Sequence, residues 1–378
     1  MLIPAAAKVT KATKGTKAKA PDPGSYLGNR VTLHYCTMRT IAPVAMPAGI
    51  GDKRAKLLLT NASKWLNGST LTYAFYSSPT NLSAPTAQKN AVRAAFAEWK
   101  ALGIGLNFTE VSSVTSAQIR IAFDLPAGSS SYIGTDNLTI DSSQYTMTFG
   151  WDLTTLYGHT TALHEIGHAI GFPHEHQNPK GGIVWDEPAV YASLGGPPNN
   201  WSRNTTFHNI IEKIKADEVQ NSSWDPNSVM HYQFEAGLIL KPVKYKNGLT
   251  PKGGLSARDK LWARKFYPPL PSGAPAKLAL FRSQSLKLAA NKQADFQFVA
   301  PATRSYTFRT FGVADTVLAV SQAASKKGVA SKLLAHDDDG GHERNSEVKV
   351  TLRKGDKVHV KVRMRFIEKA GEAAVMVF

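Results

Sequence analysis

The sequence predicts an α+β domain followed by a small all-β sandwich. Three observations lead there. Between residues 61 and 270 a strand, a long amphipathic helix, more strands and a second helix follow one another. Pro268-Pro269-Leu270-Pro271-Ser272-Gly273 then reads as a linker. Beyond it, apolar residues recur at period two in several short runs. A chain of 378 residues can bury two or three cores. The expected division is a basic, partly disordered arm over 1–60, the α+β domain over 61–270, and the sandwich over 275–378.

Residues 1–24, rich in Ala, Lys, Thr, Gly and Pro, have the composition of a disordered basic segment. A short helix is expected near 53–60. Residues 70–76 alternate as a strand, and 86–102 place Val92, Ala95, Phe96 and Trp99 on one helical face. Strands are expected at 107–111, 118–123 and 145–151, with a Gly/Ser loop near 128–134. A helix covers 160–170, with His159 just ahead of it. Pro- and Asn-rich loops run on to 227, and Leu255-Ser256-Ala257-Arg258-Asp259 leads into a helix ending near Tyr267. In the sandwich, 295–299, 305–309, 316–320, 347–352 and 357–364 alternate as strands.

Hydrophobic content of 42% with 9% aromatics excludes wholesale disorder. No apolar run reaches membrane-spanning length, and no signal peptide is visible at the start. The formal charge of +17 lies in the flanks: 1–60 holds ten Lys/Arg against two acids, and 271–378 eighteen against ten. Such flanks suit anionic cell-surface polymers or lipid headgroups, or simply keep the chain soluble; nucleic acid is not the expected partner. Cys36 is the only cysteine, which excludes an intrachain disulfide.

His164-Glu165-Ile166-Gly167-His168-Ala169-Ile170-Gly171-Phe172-Pro173-His174 carries the chemistry. His164 and His168, four apart on a helix, share a face and can ligate one ion. Gly171 can take the left-handed conformation that ends a helix, letting the chain bring His174 round as a third ligand. Three imidazoles with an open fourth position describe a catalytic zinc site, with Glu165 beside it to take a proton from water.

The pattern H-E-x-x-H-x-x-G-x-x-H resembles the metzincin metallopeptidases, which also carry a Met-turn. Ser228-Val229-Met230-His231-Tyr232 looks like that turn, in a form similar to the astacin branch, and Glu175 after the third histidine matches it too. The L-S-x-x-D…L-Y segment at 255–267 is similar to the one that closes astacin domains. The resemblance spans about 61–270 and implies a twisted mixed sheet with two long helices, a zinc ion in the cleft, and endopeptidase activity on polypeptides. It makes Tyr232 an oxyanion donor, Met230 a hydrophobic floor beneath the zinc, and Glu175 the partner of a mature N-terminal amine. The sequence departs from the family in lacking the arginine of E-Q-x-R after His174, so a preference for acidic residues cannot be carried over.

Metzincin prosegments block the zinc, which implies latency until the N-terminal segment is removed. Cys36, a thiolate ligand, and Asp52, in a partial match to F-x-G-D, are the two candidates; a buried small residue and a turn acid are the alternatives. The C-terminal segment, with Asp337-Asp338-Asp339-Gly340-Gly341, resembles the pre-peptidase C-terminal domain of secreted bacterial peptidases. Those aspartates could bind calcium or form a solvated turn. A secreted monomer is expected. A zinc-containing binding protein that attaches to cell-surface polymers through its basic sandwich is the alternative function.

Overall fold

Alternating and helical apolar patterns build two large cores and two smaller buried clusters among the described residues. The computed structural model describes residues 35–39, 64–214, 223–270, 274–323, 332–338, 340–341, 344–366 and 369–378. The basic segment over 1–24, Asp52 and the helix expected near 53–60 lie outside the described residues.

The first core lies under a six-stranded mixed sheet. Its strands are β1 (Thr37–Arg39), β2 (Thr70–Phe75), β3 (Asn107–Glu110), β4 (Ile119–Ala122), β5 (Ser130–Tyr132) and β6 (Met147–Thr148), in the order β1-β5-β6-β4-β2-β3. Only β5 and β6 pair antiparallel. Helix α1 (Thr86–Ala101) buries Val92, Ala95, Phe96 and Trp99, the expected apolar stripe. Trp99 reaches helix α2 (Leu156–Ala169), where its indole N–H donates to Leu163 O at 3.0 Å. Trp99 thus adds a hydrogen bond to the apolar packing between the two long helices.

Four expectations need correction. The Gly/Ser stretch near 128–134 contains strand β5, whose serines are buried but too small and polar to betray a strand. Helix α2 begins at Leu156, capped by Thr155, whose hydroxyl accepts from Gly158 N–H at 3.0 Å. His159 is therefore inside the helix, with Nε2 3.0 Å from Glu98 Oε2. The expected strand at 145–151 shrinks to Met147–Thr148. The loops expected up to 227 hold α3 (Glu187–Gly195), α4 (Arg203–Thr206) and a π-helical turn (Phe207–Ile211). Pro188 looked like loop punctuation but sits in the first turn of α3, where no N–H is needed. A two-stranded ribbon, β7 (Val184–Trp185) with β8 (Ile239–Lys241), flanks these elements, and α5 (Ala257–Phe266) closes the α+β part.

The second core lies between two sheets. Strands β9 (Ala276–Lys277), β10 (Gln284–Leu288), β11 (Gln293–Val299), β12 (Arg304–Phe311), β13 (Thr316–Gln322), β14 (Leu333–Asp337), β15 (Glu347–Leu352), β16 (Lys357–Met364) and β17 (Gly371–Val377) form them. One sheet runs β10-β17-β12-β15 and the other β14-β13-β16-β11-β9. Phe298, Tyr306, Phe308, Leu318 and Val360 fill the space between.

The sandwich also grips the lead-in to β2. Leu66 packs with Val317 and Ala319. Gln293 Nε2 donates to Asn67 O at 2.6 Å, and the buried Arg363 guanidinium donates to Lys64 O at 2.9 Å. Among the described residues, no helix is long and apolar enough to cross a membrane.

Candidate metal centre

Helix α2 sets His164 and His168 on one face, their ring centroids 4.6 Å apart. The helix ends in a Schellman motif at Gly171, whose φ is 99°. Gly171 N–H donates to His168 O at 2.7 Å and Phe172 N–H to Gly167 O at 2.9 Å. The reversal brings His174 Nε2 to 3.0 Å from His168 Nε2. Cys36 Sγ completes the group, 3.0 Å from His164 Nε2 and 3.7 Å from His174 Nε2. All four side chains are buried, and their donor atoms lie within 4.8 Å of one another.

The tautomers follow from what surrounds the rings. His164 Nδ1–H donates to Val229 O and His168 Nδ1–H to Phe172 O, both at 2.7 Å. Burial pushes His164 down to about 4 and holds His168 and His174 well below the usual imidazole value. The rings are therefore neutral, with the bare Nε2 atoms of His164 and His168 turned into the cluster. Such lone pairs repel unless a cation lies among them, and one sulfur with three imidazole nitrogens is a donor set that suits zinc. The carbonyls behind His164 and His168 fix their ring orientation.

Glu165 is fully buried, with its carboxylate near the Cys36 thiol. Burial pushes it up to about 8, against the pull of the Cys36 thiol and the Arg39 guanidinium. The Tyr232 hydroxyl donates to Cys36 O at 2.7 Å and sits 3.0 Å from Cys36 Sγ and 2.6 Å from His174 Nε2. The Met230 sulfur lies against Gly167, where an added Cβ would collide with it. Glu175 accepts from Asp225 N–H at 2.8 Å and from Asn178 Nδ2 at 3.2 Å. His176 and His231 each give a ring N–H to a carbonyl, Asn209 O and Tyr232 O.

Away from the cluster, the Asp337 carboxylate accepts from Gly340 and Glu347 N–H at 2.7 Å, and Asp338 pairs with Arg365 at 3.0 Å. Asp339 lies outside the described residues. Sequence reasoning missed Asp259 as a support of the site. Its carboxylate accepts from Ser228 Oγ at 2.6 Å and Val229 N–H at 2.8 Å while closing the capping box of α5 with Ser256. The L-S-x-x-D spacing carried that signal, since a capping-box acid has a second oxygen to share.

Comparison with known proteins bears on the same residues. The sequence pattern of the matrixin peptidases matches residues 64–180. A solved structure of myroilysin is 35% identical, with 55% of this chain and 97% of that one covered and a TM-score of 0.50. High choriolytic enzyme 1, a hatching enzyme zinc-protease from Oryzias latipes, is 15% identical over 53% of this chain and 90% of its own, at a TM-score of 0.34. The pre-peptidase C-terminal domain of a Bacillus anthracis collagenase is 12% identical over 29% of this chain and 98% of its own, at 0.24. The last two likenesses are too slight to carry an argument. No curated protein matches the sequence. The matrixin pattern runs through the histidine cluster, and the likeness to myroilysin extends over nearly all of that protein: the chain belongs to the metzincin metallopeptidases.

Proposed function

We propose that the chain is a zinc endopeptidase of the astacin-like branch, held latent by Cys36. The convergence of the Cys36 thiol with His164, His168 and His174 carries this reading. The three histidines would hold the zinc, which when bound supplies Lewis acidity towards water and the scissile carbonyl. Glu165 takes the proton of the attacking water and passes it to the leaving amine; its burial suits a group that must hold a proton between two transfers. Tyr232 donates to the developing oxyanion once the thiol has left, a role supported by its reach to Cys36 Sγ. The Met230-His231-Tyr232 sequence and Glu175 support the astacin-like assignment.

Latency is supported by what the Cys36 segment covers. The sulfur lies 3.0 Å from His164 Nε2 and 3.7 Å from His174 Nε2, so it would take the position on a bound zinc that a substrate carbonyl needs, and β1 pairs with the free edge of β5, where an extended polypeptide would lie. Removal of the chain ahead of Lys64 exposes both. A secreted monomer, with basic flanks that associate with anionic cell-surface polymers, completes the proposal and is supported by the charge distribution.

The test pairs metal analysis with casein cleavage on the intact chain, on Cys36→Ser and on Glu165→Ala, and on a form beginning at Lys64. One zinc per chain is expected, with the intact chain nearly inert. Cys36→Ser should cleave at least about tenfold faster, the effect of weakening the cap by ~1.4 kcal/mol. Loss of Glu165 from the shortened form should cost roughly 10²–10⁴ in rate. No gain in Cys36→Ser would remove the latency assignment. Zinc without cleavage in any form would favour a binding protein, and absence of zinc would remove the site.

A further inference from the structure

The segment Tyr35–Arg39 lies in the cleft as a bound peptide. Met38 and Arg39 face Ser131 and Tyr132 in a parallel ladder, and Thr37 N–H donates to Ser129 O at 3.1 Å. On the other side, two asparagines take two further donors: Tyr35 N–H reaches Asn199 Oδ1 at 3.0 Å and Met38 N–H reaches Asn209 Oδ1 at 2.9 Å. Asn209 is buried, and its own Nδ2 donates to Thr205 O at 3.0 Å, so its acceptor oxygen is held in place.

Next to the residue on the metal cluster, the Tyr35 ring fills an aromatic recess. Its centroid lies 5.3 Å from that of Tyr232, 5.9 Å from Phe234 and 6.2 Å from Trp201. The recess opens into the apolar cluster built from Trp185, Leu194, Ile211 and Leu249. Yet the Tyr35 hydroxyl is buried with no hydrogen-bond partner among the described residues. A carboxylate lodged there would be equally unpartnered, and an unpaired buried charge costs far more than an unpaired hydroxyl. The recess is therefore matched to a ring and indifferent or hostile to what the ring carries.

We propose that this recess is the specificity pocket of the peptidase, and that it selects a large aromatic side chain, Phe ahead of Tyr, and rejects Asp and Glu. The inference rests on the peptidase reading of the site. Direction follows from sheet geometry. The Cys36 segment runs parallel to β5, whereas antiparallel pairing is the more stable per residue and is what β5 makes with β6. A substrate laid antiparallel on β5 runs opposite to the Cys36 segment. Its side chain in the Tyr35 recess then belongs to the residue just C-terminal to the scissile bond. Asn199 and Asn209 are positioning residues, accepting backbone N–H groups along the far side of that strand.

The experiment uses the full chain activated by cleavage between residues 40 and 63. A peptide library of balanced composition is digested and the cut sites are mapped by mass spectrometry. Phe should stand C-terminal to the cut about tenfold above its frequency in the library, with Tyr next and Asp or Glu depleted. Trp201→Ala, which removes one wall, should lower that enrichment more than it lowers the total number of cuts. Cuts with no aromatic enrichment, or with acidic residues at that position, would overturn the pocket while leaving the peptidase reading intact. No cuts at all would overturn both.

A second readout needs no turnover. In the uncleaved chain, Tyr35→Phe should leave the unfolding midpoint unchanged or raise it, because it removes an unpartnered hydroxyl. Tyr35→Asp should lower it. Equal midpoints for the two variants would mean that the recess does not discriminate.

Discussion

Glu175 sits directly after a cluster histidine, with its carboxylate buried between the Asp225 backbone and Asn178. Burial pushes its pKa from the ordinary 4.5 up to about 7. The folded chain thus holds this proton more tightly than the unfolded one, so its contribution to stability is present below 4.5 and is lost as pH rises towards 7. Glu175→Gln keeps an acceptor oxygen without the charge. It should melt like the parent at pH 4 and higher at pH 8, by about 3 °C, in thermal scans across that range. At this scale the sequence was most informative where covalent spacing fixes geometry. His164, His168 and Gly171 meet the positions that helix periodicity dictates for them. Cys36 approaches from 128 residues away, a distance no spacing rule covers, so its chemistry was the only guide.

Asp259 ties one element to another. Through one carboxylate it caps α5 and holds the Ser228–Val229 turn, whose carbonyl orients His164. Asp259→Ala should cost about 3 kcal/mol in denaturant unfolding, as a buried charge-assisted pair of hydrogen bonds is lost. It should also weaken zinc affinity by roughly tenfold or more, since the support of a ligand histidine goes with it; titration against a competing chelator measures this. Elements with clean alternation were legible to the residue: Glu347–Leu352 and Lys357–Met364 have the ends that their patterns predict. Strand β5 was not, because Ser130 and Ser131 are held by the sheet around them rather than by their own preference. Helix α3 hid behind Pro188 for a similar reason: a residue that breaks helix interiors is neutral at their start.

At the scale of the whole molecule, the sandwich and the α+β part meet at Arg363. Burial pushes this guanidinium down to about 10, and it donates to Met364 O, Arg365 O and Lys64 O. Arg363→Met leaves those carbonyls unsatisfied and should destabilise the junction by about 2–4 kcal/mol. Calorimetry should then show the two parts melting at separate temperatures instead of together. Prolines at 268, 269 and 271 punctuate the sequence there, but nothing in the sequence marks this contact. It pairs positions 299 apart in sequence, and a lone arginine in a β-strand normally reads as solvent-facing.

That junction gives the molecule a load path. From Arg363 and Gln293 it runs to Lys64 and Asn67, then through the Trp65 indole, which donates to Ala169 O at 2.8 Å, to the last turn of the helix that carries His164 and His168. Tyr267 stiffens the same corner, accepting from Trp65 N–H and donating to Ile170 O. A sandwich anchored to a surface would therefore pull on the histidine helix itself and not on a slack tether, so tension at the anchor and the set of the clustered histidines are mechanically joined.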